Sequence, residues 1–159
     1  MCCSSLPRRR SGQVVDRSAF TLIELLVVIA IIATLASLVA PLVFRNVGDA
    51  KRTAAKAQID LFVIALNAYR LDNDAFPTTE QGLEALRTMP TLGALPRNWR
   101  GPYLARNLPA DPWGSAYVYL APGKANAQSF DLYSLGRDGK PGGADEDSDV
   151  TSWGGSVTP

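Results

Sequence analysis

The chain has 159 residues, enough for one domain, and its 16 Lys and Arg nearly balance 15 Asp and Glu, for a net charge of +1. It has no histidine, which removes imidazole zinc sites and histidine-based triads together. No basic patch points to nucleic acid as a partner.

Residues 1–19 read as a basic leader, with Arg8, Arg9, Arg10 and Arg17 against Asp16. From Phe20 to Ala40 runs an apolar stretch of about 21 residues, long enough to cross a bilayer. Basic flanks stay on the cytoplasmic side, so the N-terminus is expected inside and the remainder outside the inner membrane. The run is too long for a secretory signal, and no Ala-x-Ala site follows it before Arg45. Cys2 and Cys3 both precede the run. They offer the exported part no disulfide, although its compartment is oxidising. A lipoprotein would need its cysteine after the apolar region, so lipidation is discounted. The one charge in the run is Glu24. A carboxylate in a lipid-buried helix costs about 2.5–3.5 kcal/mol on insertion scales and marks a functional site by default.

Pro41 ends the membrane segment and favours a kink. Beyond it the pattern predicts a continued amphipathic helix to Leu71. Its stripe is Ala54, Ala57, Leu61, Ile64, Ala65 and Ala68, with Phe62, Leu66 and Tyr69 beside it. Asp72-Asn73-Asp74 and Pro77 end the helix. Thr78 to Gln81 fits a capping box for a second short helix with an apolar face of Leu83, Leu86 and Met89. A Pro- and Gly-rich passage containing Trp99 and Tyr103 comes next. The turn 108–114 feeds a strand, Ala116 to Leu120, and Pro122-Gly123 leads to a returning strand, Ser129 to Leu135. Three or so short strands cannot close a core alone and must pack on the helix stripe. The expected class is α+β, with one long helix as its backbone. The expected divisions are a leader 1–19, a membrane segment 20–41 and an exported domain 42–159. Trp99, Trp113 and Trp153 are read as aromatics of a small core in preference to a sugar site.

Arg17-Ser18-Ala19-Phe20-Thr21-Leu22-Ile23-Glu24-Leu25 resembles the leader junction of type IV pilins and pseudopilins. The resemblance implies that a prepilin peptidase cuts between Ala19 and Phe20 and N-methylates Phe20. The family usually has Gly where this chain has Ala19, a change small in volume. Pro41 matches the family's proline. The stretch Tyr69 to Leu83, the Leu108-Pro109-Ala110-Asp111-Pro112-Trp113-Gly114 turn and Leu135-Gly136-Arg137-Asp138-Gly139 are similar to the major pseudopilin of type II secretion, the general secretion pathway protein G family. That implies a type IV pilin-like fold and a non-enzymatic subunit that polymerises into a periplasmic pseudopilus. Its implied partners are copies of itself, minor pseudopilins, the prepilin peptidase and the inner-membrane secretion platform. Glu24 of one subunit would then meet the Phe20 amine of another. The other readings weighed are a type IV pilin, against which the missing C-terminal cysteines argue, and a membrane-anchored enzyme or calcium-dependent binding module.

Asp138, Asp145, Glu146, Asp147 and Asp149 lie among glycines. Hard oxygen donors on a flexible loop suit Ca²⁺. Asp145-x-Asp147-x-Asp149 starts like an EF-hand, but Val150 stands where the loop needs Gly and Ser156 where it needs Glu. The resemblance implies a structural Ca²⁺ held by the Asp138 side chain and the Leu135 carbonyl, with a second aspartate among Asp145, Asp147 and Asp149. On the exported helix, Asp60 is the only acid between Lys51 and Leu71, where the family often places more.

Overall fold

The computed structural model describes residues 20–157, and for residues 40–45 the backbone alone. The leader, including Ala19, Cys2 and Cys3, lies outside the described residues. The chain divides into two compact units, Met1–Pro41 and Leu42–Pro159. In the first, the stretch Leu22–Val39 is helical, has a mean hydropathy of 2.8 and has no buried residue.

One helix, α1 (Leu22–Asn73), contributes to both units. Its end is built by local chemistry. Asp74 takes a left-handed φ of 61° and donates its N–H to the Arg70 carbonyl at 2.8 Å, the geometry that satisfies a last-turn carbonyl. The Asn73 amide donates to the Tyr69 carbonyl at 2.9 Å, and its oxygen accepts the Asn98 N–H at 3.1 Å. The Tyr103 hydroxyl donates to Asp72 at 2.9 Å and accepts the Arg100 N–H at 3.0 Å. The helix end is thereby tied to the Pro-rich passage.

The second unit carries three antiparallel strands in the order β1 (Val118–Leu120), β2 (Asp131–Ser134), β3 (Val150–Thr151). Val118 pairs with Tyr133, and Tyr133 with Thr151. Both expected strands exist but are shorter, β1 at its start and β2 at both ends. The third lies inside the acidic tail, where no sequence signal marked its position, because two residues cannot display an alternating pattern.

The sheet packs on α1 over the residues expected beside the stripe, Phe62, Leu66 and Tyr69, and of the stripe itself only Ala65 is buried. The buried face is Ala55, Ile59, Phe62, Leu66 and Tyr69, joined by Ala65 and meeting Tyr119, Phe130, Leu132 and Val150. Leu61 and Ile64, assigned to the stripe, are 55% and 66% exposed. Ala54 and Ala57 are exposed as well. The helix is apolar on two faces, and periodicity alone does not say which one the sheet covers. Phe62 is locked edge-on against Tyr117 at 5.2 Å, a preferred aromatic geometry.

The capping box forms as expected. The Gln81 side-chain oxygen accepts the Thr78 N–H at 3.0 Å, and the Thr78 hydroxyl accepts the Gln81 N–H at 3.3 Å. The box leads into a single 3-10 turn, Leu83–Leu86, rather than a helix reaching Met89. Leu83 and Leu86 are buried and Met89 is exposed. Pro90 denies the segment the length an α-helix needs.

Truncating Phe62 to Ala is expected to cost about 3–5 kcal/mol. Ile64→Ala should stay within about 0.5 kcal/mol, as a surface change does. Denaturant unfolding of the full chain in detergent checks both. Burial, with Tyr69 as a lesser contributor, pushes the Tyr119 hydroxyl well above its ordinary range, where it donates to the Pro77 carbonyl at 2.8 Å. Burial, then Asp111, pushes Tyr117 up to about 12. Both native pKa values exceed the unfolded value of about 10, so their stabilisation is complete below that pH and is lost as pH rises through the native values. The melting temperature should fall above about pH 10, less steeply in Tyr119→Phe.

Candidate functional site

At the start of α1, the Thr21 hydroxyl accepts the Glu24 N–H at 3.3 Å. Thr21 is thus the N-cap and Glu24 the third helical residue, a Thr-x-x-Glu arrangement that sequence reasoning passed over. The cap gives Glu24 a local role near the positive end of the helix dipole, worth about 0.3–1 kcal/mol. That is smaller than the about 2.5–3.5 kcal/mol a membrane-buried carboxylate costs, so capping alone does not account for it. Phe20 and Glu24 are both exposed. Among the described residues no cation lies within salt-bridge distance of Glu24.

The Asp-Pro-Trp turn is organised by a buried carboxylate. One oxygen of Asp111 accepts the N–H groups of Trp113 and Ser115, at 3.1 and 2.7 Å. The other accepts the hydroxyl of Ser134, which is fully buried at the end of β2. The Ser134 oxygen in turn accepts the Gly136 N–H at 3.2 Å. Asp111 therefore fastens the turn to the strand from which the acidic loop leaves. An Asp-x-x-Gly-Ser sequence signals an Asx-type turn, but the long-range Ser134 contact leaves no local trace.

Trp99 and Trp113 pack against the core, and the Trp99 indole donates to the Ala85 carbonyl at 3.0 Å. Trp153 meets Tyr133 edge-on at 5.9 Å. The three tryptophans serve packing at separate places.

The acidic loop is held by a residue that was not singled out. Arg137 grips Asp147 with two N–H groups, at 2.9 and 3.1 Å, and reaches Glu146 at 3.4 Å. Its own N–H donates to the Glu146 carbonyl at 3.0 Å. These carboxylates, Asp147 foremost, hold the guanidinium pKa above its ordinary value. Gly143 adopts φ +82°, and a Cβ there would lie 2.3 Å from the Asp147 carbonyl oxygen. Gly136, at φ +67°, approaches the Glu146 and Asp147 backbone almost as closely.

The expected metal ligands fall into different settings. Asp138 is exposed and accepts the Lys140 N–H at 3.0 Å. Leu135 is half-buried just after β2. Asp145 is exposed and opens a 3-10 turn with φ 52°. Asp147 is engaged by Arg137. Asp149 accepts the N–H groups of Gly142 and Val157 on one oxygen, at 2.8 and 3.3 Å. Its other oxygen is buried without a partner. Among the described residues, no three acidic, cysteine or histidine side chains converge as a metal cluster. The donor types suit a hard cation, and the orphaned Asp149 oxygen singles out that residue, but further ligands would have to be carbonyls or water.

A family model for type II secretion system protein G matches residues 42–153. The chain belongs to that family. A model for the prokaryotic N-terminal methylation motif matches residues 16–40. The type II secretion system core protein G of Pseudomonas aeruginosa is 50% identical over 138 residues, covering 87% of this chain and 96% of that one. The core protein G of Escherichia coli is 46% identical over 135 residues, covering 85% and 90%. That of Vibrio cholerae is 44% identical, covering 86% and 92%. The crystal structure of the major pseudopilin from the type 2 secretion system of enterohaemorrhagic E. coli superposes with a TM-score of 0.58 at 41% identity, over 68% of this chain and 90% of that one. The α+β pilin-like fold of the protein G family is thus present here, built on the long helix and the small antiparallel sheet.

Asp111→Ala should strand the buried Ser134 hydroxyl, costing about 1–3 kcal/mol for that group alone. Adding Ser134→Ala should recover part of the loss, measured as a coupling in a double-mutant cycle. Strictly additive losses would show that the two do not act together.

Proposed function

We propose that this chain is a structural subunit that polymerises from the inner membrane into a periplasmic pseudopilus, which drives folded proteins across the outer membrane. Membership of the protein G family is the observation that carries the reading. In it, the prepilin peptidase cuts between Ala19 and Phe20 and methylates the new amine. The N-terminus faces the cytoplasm and the second unit faces the periplasm. The subunit performs no catalysis. It works with minor pseudopilins and the inner-membrane secretion platform. The adhesive pilin and the calcium-dependent binding module are not favoured beside it.

Assembly is driven by charge. The cut leaves a cationic amine at Phe20 near neutral pH. Glu24 is an exposed carboxylate for which the cap supplies too little compensation. In a bundle of identical membrane helices, pairing the amine of one copy with Glu24 of the next neutralises both, whereas leaving either unpaired costs several kcal/mol. The pair fixes an axial offset between copies, since no other charge lies between Phe20 and Ala40.

The acidic loop is proposed to hold one structural Ca²⁺ through Asp149 and Asp138, with the Leu135 carbonyl as a further ligand. Asp145 remains a candidate, whereas Asp147 is engaged by Arg137. The cation would neutralise carboxylates gathered on one glycine-rich loop. What supports this is the unpartnered Asp149 oxygen beside the Gly142 turn. The chain's own part is to hold that loop closed with Arg137 and Asp111.

Glu24→Ala should insert in the membrane normally and abolish filament assembly and secretion, read by fractionation and export assays. Normal secretion by that variant would overturn the charge-pair mechanism. Chelating calcium should lower the melting temperature and speed proteolysis of the loop in the native chain, and Asp149→Asn should remove the difference. Identical melting with calcium and with chelator would count against the site.

A further inference from the structure

The buried face of α1 continues down to Gly48. Ala55, Phe62 and Tyr69 recur every seven residues on that face, and Gly48 stands one heptad before Ala55. Gly48 is buried, while Asn46, Val47, Asp49 and Ala50 around it are exposed. Its cover is the Glu146 side chain of the acidic loop. A Cβ added at Gly48 would lie 2.5 Å from the Glu146 Cγ and 2.9 Å from its Cδ, closer than packed atoms come. Glycine inside a helix is less stable than alanine, and no left-handed φ calls for one here. The close approach of Glu146 supplies the reason for it.

Glu146 is held from the other side as well. Its carboxylate meets Arg137 at 3.4 Å, and its carbonyl accepts the Arg137 N–H at 3.0 Å. Its backbone also abuts Gly136, where a Cβ would lie 2.9 Å from the Glu146 carbonyl oxygen. The side chain is therefore fixed between Arg137 and the helix. Asp49 shares the cleft beside Gly48 with Asp145, Glu146, Asp147 and Arg137. Among the described residues lining that cleft, four carboxylates stand against one guanidinium. Seating the loop on the helix therefore gathers like charge, which opposes closure. A divalent cation on the same loop offsets it.

Resting on the structural-cation reading above, we infer that Gly48 and Glu146 form a latch that couples cation binding in the acidic loop to the turns of α1 around Gly48. With the cation bound, the loop closes and Glu146 covers the helix backbone. Without it, the gathered carboxylates push the loop away and uncover Gly48. The coupling is reciprocal, so a helix that cannot accept Glu146 must weaken cation binding.

The test is hydrogen exchange of the full chain in detergent, titrated from chelator to excess calcium. Calcium should slow exchange both in the loop, residues 142–149, and in the helix turns, residues 46–52. In Gly48→Ala the loop should still respond, at several-fold higher calcium, and the helix turns should lose their response. Glu146→Ala, which leaves the helix sequence intact, should lose it too. Melting separates the latch from helix propensity. In calcium, Gly48→Ala should lower the melting temperature of the otherwise native chain, yet raise it in a Glu146→Ala background. A rise in both backgrounds overturns the latch. A loop that responds to calcium beside helix turns that do not also overturns it, and leaves the cation reading standing. No calcium response in either segment overturns the cation reading, and the coupling with it.

Discussion

A sheet of three strands, the longest four residues, cannot bury a hydrophobic core by itself. Everything in the second unit depends on the helix face that closes it: Ala55, Ile59, Phe62, Leu66 and Tyr69. With no cysteine in this unit, packing and polar clamps do what disulfides do in many exported domains. The Asp111–Ser134 bond fastens the Asp-Pro-Trp turn to β2. The Tyr103–Asp72 bond fastens the Pro-rich passage to the helix end. Arg137 closes the loop that leads into β3.

The same helix is apolar on two faces. One serves the chain's own core. The other is exposed at Leu61, Ile64 and Leu71. This explains which parts were legible in the sequence. The extent of the helix, its stop at Asp72 to Asp74 and the reciprocal Thr78–Gln81 cap are local signals and could be read directly. The covered face could not, because alanine, leucine and isoleucine occur on both sides from Val47 to Leu71. Most of the stripe that looked like the core, apart from Ala65 and Ala68, is left exposed.

The functional residues divide along the same line. Glu24 is conspicuous because a charge in an apolar run is an anomaly in any sequence. Thr21 was hidden by its ordinariness, although its cap supplies the smaller energy that must be weighed against the membrane cost. Asp111 and Arg137 act through partners 23 and 10 residues away, a kind of contact that composition does not encode. In the acidic loop, composition showed five clustered acids. The fold sorts them, giving Asp147 to Arg137 and leaving a buried oxygen of Asp149 unmatched.

In the proposed assembly, Glu24 is neutralised by the amine of a different subunit. Solid-state NMR on mixed filaments addresses it directly, with one set of subunits carrying ¹⁵N-phenylalanine and the other ¹³C-glutamate. The expected result is a dipolar contact between the methylated Phe20 nitrogen and the Glu24 carboxyl carbon, within about 4–6 Å, in the mixed sample. A contact that appears solely when both labels lie in one subunit, or in neither sample, would contradict it.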